Sequence, residues 1–396
     1  MGGYLISLDS LDTLELYIKN GFYGTKIKYP KNGQWSPAHE YTLADYCSMK
    51  EGEFIFFFIK RIIYGVGKIV SLNKELTTKP VALCNYPKSY FAGERGKNKA
   101  LLWNENVPAD YDIRWVVFYK PAPHFFKKGL DMDEVLMSDR SNMVRSLRTF
   151  QGLSFIKMDT TECNFILQLL IRKNLDCWDN PDENDIFYSA PEDYHHYINE
   201  SYNLAEYQID VDELISKFIQ DDKIKHEAIL QTWLVSKLTH DPTSVSNIFS
   251  GPWNYIANQV SASPYKPITY MDKIDIFGIK EKPVYPFASP IASEYLIIEV
   301  KKDFITSVES MEINPIGQLM KYVDWVAYNT AGGDYNLIKA YLIANGFSQN
   351  IINLTKEIGK RQFVLPRRPY LSGLWQNIHL VSYIINNKSI QLKKIL

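Results

Sequence analysis

Short apolar runs rich in β-branched and aromatic residues predict strands at Tyr4 to Leu8, Phe54 to Ile59 and Ile62 to Val70. Phe54 to Ile59 is apolar on both faces, which predicts a central strand, and the Lys60-Arg61 turn leads into its neighbour. Gly65 and Gly67 in that neighbour predict a bulge or a close backbone approach. Helices are predicted at Leu11 to Asn20, closed by Gly21, and at Tyr41 to Met49. Asp, Glu, Asn, Tyr and Pro then dominate Asp176 to Glu206. The segment 174–222 therefore reads as an acidic connector with one helix over Asp210 to Gln220. Beyond it the pattern gives an amphipathic helix at Lys225 to Leu234 and a long loop from Thr239 to Thr269. Strands follow at Met271 to Gly278 and Tyr295 to Lys301, then a helix over Pro315 to Ala327 with proline in its first turn. Ile338 to Ile343 and Trp375 to Ile385 read as strands and Ser348 to Ile358 as a helix. The expected class is mixed α/β, in three parts: 1–173, the connector 174–222, and 223–396.

The two strands near the middle of the last part carry the candidate chemistry. In Tyr295 to Lys301, Leu296, Ile298 and Val300 share one face, so Glu299 and Lys301 project together from the other. A carboxylate and an ammonium at the end of a greasy strand carry a desolvation cost, and a metal ion offsets it. Asp275 lies next to Glu299 if the two strands pair. Two carboxylates with the Val300 carbonyl then make an oxygen-rich site suited to Mg²⁺ or Mn²⁺, with room for water and phosphate. In such a site Lys301 holds the attacking water or steadies charge growing on the phosphate. The alternative is a surface strand with an ordinary ion pair. Gln318 and Tyr322, four apart, share a helical face.

Composition changes this picture little. The 396 residues are 46% hydrophobic and 22% charged, with a formal net charge of -1. That leaves room for two or three domains and excludes a generally basic nucleic-acid coat. Any DNA contact has to come from a local patch, and Lys356, Lys360, Arg361, Arg367 and Arg368 form the densest one. Lys266, in the long loop before the Asp275 strand, suits backbone contact as well. Four cysteines without a C-x-x-C pair argue against zinc or a disulfide framework and fit a reducing cytoplasm. Gly2-Gly3 runs straight into a strand pattern, so no signal peptide is expected. The longest apolar run, Phe54 to Ile59, is far short of a membrane span.

An Asp followed by Glu-x-Lys and a Gln-x-x-x-Tyr helix resembles the RecB-type branch of the PD-(D/E)XK nucleases. The resemblance implies that Asp275, Glu299 and the Val300 carbonyl hold Mg²⁺ or Mn²⁺, and that Glu227, on the first helix, completes the shell. It further implies that Lys301 assists the water and that Gln318 and Tyr322 orient metal-bound groups or phosphate. The first 170 residues resemble EVE and PUA-like domains. The match lies in the opening strand, Gly21-Phe22-Tyr23-Gly24, Met49 to Glu53, the Gly-x-Gly strand and the stretch Arg145 to Lys157. Such a β-barrel implies an aromatic pocket for a nucleobase, with Tyr23, Trp35 and Trp103 placed to line it and Arg140, Arg145 and Arg148 to face phosphate. Core or surface packing is the simpler reading of each of the three aromatics, and an exposed helical face fits the three arginines equally well. Together the resemblances imply a metal-dependent deoxyribonuclease acting on double-stranded DNA, with a fused reader and a restriction-like defence role, and a possible homo-oligomer. The rival expectations are a repair endonuclease for mismatched or branched DNA and a non-catalytic nucleic-acid-binding protein that keeps the fold.

Overall fold

The computed structural model describes residues 2–27, 37–70, 84–87, 113–121, 125–139, 144, 147, 155–187, 211–264, 272–286, 290–306, 314–365 and 368–396. The chain forms two compact units, Met1–Leu214 and Ile215–Leu396, so the division falls inside the segment read as a connector.

The first unit holds β1 (Gly3–Ser7), β2 (Phe22–Ile27), β3 (Phe54–Ile59), β4 (Ile62–Ile69), β5 (Cys84–Pro87), β6 (Ile113–Pro121), β7 (Leu130–Asp131) and β8 (Phe155–Met158). Its helices are α1 (Leu11–Asn20), α2 (Pro37–Cys47), α3 (Met132–Ser138) and α4 (Thr160–Lys173). The sheet runs β2-β6-β4-β3-β1-β8, with β5 beside β6 and β7 beside β4. β1 lies parallel to β3 and antiparallel to β8. Among the described residues β2 pairs only with β6 and β8 only with β1, so the path stays open and the barrel implied by the resemblance does not close. Lys60 and Arg61 both take positive φ, 45° and 75°, the conformation of a two-residue hairpin turn whose twist matches its strands. Gly65 answers the expectation of a close approach: a Cβ there would lie 2.0 Å from the Phe125 ring. Residues 174–187 are not a free linker. The Phe187 amide bonds the Phe125 carbonyl at 2.8 Å, and Asn174, wholly buried, donates to the Leu170 and Lys128 carbonyls.

The next helix, α5 (Val211–Lys217), is shorter than the helix read over Asp210 to Gln220, and a tight hairpin, β9 (Ile219–Gln220) with β10 (Lys223–Ile224), follows it. The second unit is built on a six-stranded sheet. Its strands are β11 (Tyr255–Ser261), β12 (Lys273–Lys282), β13 (Ile291–Val300), β15 (Ile338–Ala344), β19 (Ile378–Asn386) and β20 (Ser389–Lys394), in that spatial order. The short strands β14 (Phe304–Ile305) and β16 (Gly346–Phe347) pair in parallel, and β17 (Arg361–Leu365) pairs with β18 (Leu371–Trp375). β13, β15 and β19 run parallel at the centre, and the flanking strands are antiparallel. Helix α6 (Glu227–His240) packs on β11, β12 and β13, and α7 (Pro315–Asn329) on β13 and β15. α8 (Gln349–Ile358) adds Ile351 to the core shared with α7. The sheet is covered on both faces, which is why β13 is buried from Tyr295 to Val300.

Two expectations change here. Helix α6 is not a surface amphipathic helix: apart from Lys237, every residue from Ala228 to Thr239 is buried. The long loop from Thr239 to Thr269 contains a strand, β11, which pairs with β12 and forms the edge of the sheet.

Candidate active site

The register of β12 against β13 sets the geometry. Ile276 pairs with Ile298, so one step further along the antiparallel ladder Asp275 faces Glu299. Residues directly opposite in such a ladder share a face of the sheet. At this point a side chain takes over from the ladder: the Val300 amide donates to Asp275 Oδ2 at 2.8 Å. Gln259 Nε2 on β11 donates to the other oxygen, Oδ1, at 2.9 Å. Glu299 is 1% exposed, and Lys301 Nζ donates to its Oε1 at 2.7 Å. Its second oxygen, Oε2, is buried with no hydrogen-bond partner. Lys301 is fixed just beyond β13 because its amide bonds the Ile343 carbonyl at 2.8 Å.

Electrostatics follow from this crowding. Burial pushes the Asp275 carboxyl up to about 6, against the opposing pull of Lys301 and the Val300 amide. Burial also raises the Glu299 carboxyl, and the charge on Asp275 adds to it, while Lys301 works the other way. For Lys301, burial favours the neutral amine, but Glu299, Asp275 and Glu227 outweigh it and hold the ammonium above its ordinary range. Glu227, the first residue of α6, accepts the Lys302 amide at 3.4 Å and raises both carboxyls by its charge. Three carboxylates therefore share one ammonium, a site short of positive charge.

Among the described residues no three His, Cys, Asp or Glu side chains stand ready as a complete metal cage. Glu299 Oε2 nevertheless fits a cation, since a buried carboxylate oxygen without a donor is costly until one arrives. Hard oxygen donors from Asp275 and Glu299 match Mg²⁺ or Mn²⁺ in kind. Val300 enters through its amide, bonded to Asp275.

Helix α7 brings the remaining pair. Asn314 caps it, accepting the Ile316 and Gly317 amides at 3.0 and 3.1 Å, with Pro315 opening the first turn. Gln318 Nε2 donates to Tyr322 Oη at 2.7 Å, across one turn. Burial raises the Tyr322 hydroxyl. The Gln318 bond opposes this, and the charges on Glu299, Asp275 and Asp272 reinforce it, so the hydroxyl lies within their field. A cavity of about 350 Å³ also opens along α7, lined by Trp325, Tyr328, Asn329 and the Asp272–Lys321 ion pair, and none of Asp275, Glu299, Lys301, Gln318 or Tyr322 is part of its wall.

No family model matches this chain, and no curated protein matches it either. Several solved structures resemble it at low scores, among them the following three. A protein from Agrobacterium tumefaciens is 15% identical over 43% of this chain and 92% of its own, with a TM-score of 0.24. A repair endonuclease from Pyrococcus abyssi is 14% identical over 35% and 46%, with a TM-score of 0.20. MspJI restriction endonuclease, in complex with a 27-mer oligonucleotide, is 9% identical over 92% and 68%, also at 0.20. Likeness at this level leaves the family open and carries no argument about the chemistry.

The residues expected to meet nucleic acid scatter. Lys266, Arg367, Trp35, Trp103, Arg140, Arg145 and Arg148 lie outside the described residues. Lys360 and Arg368 are exposed. Arg361 is engaged otherwise: its guanidinium grips Asp324 of α7 with bonds of 2.8 and 3.0 Å and also donates to the Lys360 carbonyl. Tyr23 is 3% exposed, packed edge-on against Tyr17 and Phe155, so in this conformation its ring faces core and not a base. Two site residues carry no motif of their own, Gln259 and Gln231. The polar pair Asn258-Gln259 inside an otherwise apolar run is the available signal.

Proposed function

We propose that the second unit is a metal-dependent deoxyribonuclease of the PD-(D/E)XK kind, hydrolysing phosphodiester bonds in double-stranded DNA. The observation that carries this is the Asp275–Glu299 pair, facing across β12 and β13 with Glu299 Oε2 unpartnered and Lys301 bonded to Oε1. Asp275 and Glu299 would hold Mg²⁺ or Mn²⁺, with the Val300 carbonyl and Glu227 assisting. When bound, the ion supplies an activated water at neutral pH and offsets charge on the phosphate.

The protein's own groups do the rest. Lys301 keeps its proton against three carboxylates, so it acts as a fixed cation that orients the attacking water and steadies the developing charge. Gln318 and Tyr322 form a donor pair that positions a phosphate oxygen. Trp325 and Tyr328 offer aromatic surface on which a neighbouring base can stack, an interaction of about 1–3 kcal/mol per ring. Lys360 and Arg368 add sequence-blind attraction to phosphate. The first unit is proposed as a PUA-like reader that selects the substrate, which makes a restriction-like defence enzyme the favoured role.

A panel of plasmids with and without base modifications, incubated with Mg²⁺ and with Mn²⁺, tests the proposal. Cleavage dependent on the ion and biased toward one modification state is expected. No cleavage of any duplex with either ion would remove the nuclease reading, and unbiased cleavage would remove the reader.

A further inference from the structure

We infer that Gln259 is a positioning residue for Asp275, held for that purpose in a left-handed backbone conformation; this rests on the metal-site reading above. On β11, Asn258 pairs with Ile276 and Val260 with Ile274, so Gln259 sits opposite Asp275 with no ladder pairing of its own. Its φ is +54°, a region that long side chains avoid and that glycine enters freely. Nothing about a sheet edge requires it, since an ordinary strand residue would continue the ladder.

What the conformation achieves is visible in the hydrogen bonds. The Gln259 amide donates to Asp275 Oδ1 at 2.9 Å and to Gln231 Oε1 at 3.2 Å. Gln231 is 1% exposed and lies one turn beyond Glu227 on α6. The amide therefore ties the helix carrying Glu227 to the strand carrying Asp275. With the Val300 amide on Oδ2, Asp275 has one neutral donor on each oxygen. Two such donors stop the carboxylate rotating and leave each oxygen a free lone pair. Neither brings positive charge, so the negative charge stays available to a cation. An ammonium or guanidinium in the same place would fix the carboxylate equally well but would compete with the ion. Strain kept at a site where it aims a functional group is the pattern expected of a positioning residue.

The test uses full-length protein and Mn²⁺ as the probe. Gln259→Gly removes the amide and relieves the backbone, so its melting temperature should equal or exceed that of the wild type. Calorimetric titration should show Mn²⁺ affinity lower by about tenfold or more, the usual loss when a partner of a metal ligand is removed. The kcat for duplex cleavage should fall by a similar factor with KM unchanged. Gln259→Met, which keeps the length but not the donor, should lose Mn²⁺ affinity in the same way. Gln259→Lys should lose more, because its charge takes the place of the ion. Wild-type Mn²⁺ affinity and kcat in Gln259→Gly would overturn the inference and leave the metal site standing. Absence of Mn²⁺ binding by the wild type would overturn both.

Discussion

Glu299 makes the metal-free protein pH-sensitive in a direction opposite to most carboxylates. Its carboxyl is pushed from an ordinary 4.5 up to about 8, first by burial and then by Asp275, with Lys301 opposing. A carboxyl raised on folding contributes stability below pH 4.5, where it is neutral in both states, and loses that contribution as pH climbs through 8. At about 1.4 kcal/mol per pH unit the interval sets a ceiling on the order of 5 kcal/mol. Water penetration and relaxation around buried charges bring the expected loss nearer to about 2 kcal/mol. Glu299→Gln keeps the shape and stays neutral, so it isolates this contribution. Thermal melts in EDTA at pH 5, 7 and 9 should show the two proteins close at pH 5. The variant should pull ahead as pH rises, by about 4–8 °C at pH 9 at the usual 2–4 °C per kcal/mol. Mn²⁺ should close the gap by stabilising the wild type alone. Parallel melting curves across the three pH values would refute the reasoning, because a Glu299 ionised without cost cannot be the buried, cation-seeking group described above.

Other outcomes follow from the same geometry. Lys301→Met should lower cleavage by about 10²-fold or more, the scale of removing one stabilising group at the reacting centre, while tightening Mn²⁺ binding because a competing cation is gone. Titration and single-turnover cleavage on one preparation check both signs. Arg361→Ala should cost about 1 kcal/mol of stability by breaking the Asp324 pair and leave the salt dependence of DNA binding unchanged. Lys360→Ala with Arg368→Ala should do the reverse, flattening the logarithmic salt slope by about 0.9 for each phosphate no longer neutralised. Tyr23→Ala should destabilise the protein by about 3–5 kcal/mol as a core cavity, seen in denaturant melts, with no selective loss of DNA binding.

The parts of the fold legible in the sequence are those fixed by local pattern. β13 announces itself by Leu296 to Val300, and α7 by Asn314-Pro315 and its apolar stripe. The adjacency of Asp275 and Glu299 on paired strands is readable because a hairpin between two neighbouring strands is the default connection. Strand β11 is not readable. Gly251-Pro252 and Ser263-Pro264 bracket it with turn signals, and Asn258-Gln259 break its alternation. The positive φ at Gln259 accompanies its bonds to Gln231 and Asp275, 28 and 16 residues away, which no local pattern announces. Burial escapes local pattern where cover comes from distant elements. Alternation alone puts Glu299 on the open side of its strand, but the helices on both faces of the sheet enclose it. Arg361 reads as part of a free basic cluster, yet Asp324, 37 positions earlier, claims it. Composition carries no information about such pairings.

Cleavage of a fluorescently labelled DNA duplex by wild type and by Asp275→Asn, each with Mg²⁺ and with EDTA, tests the central claim most directly. Wild type with Mg²⁺ should cut, and EDTA should stop it. Asp275→Asn should be inactive with Mg²⁺ while still melting cooperatively in EDTA, since the substitution keeps the shape of the side chain and one of its two acceptor oxygens. Cutting by Asp275→Asn at the wild-type rate, or cutting by wild type in EDTA, would contradict the account.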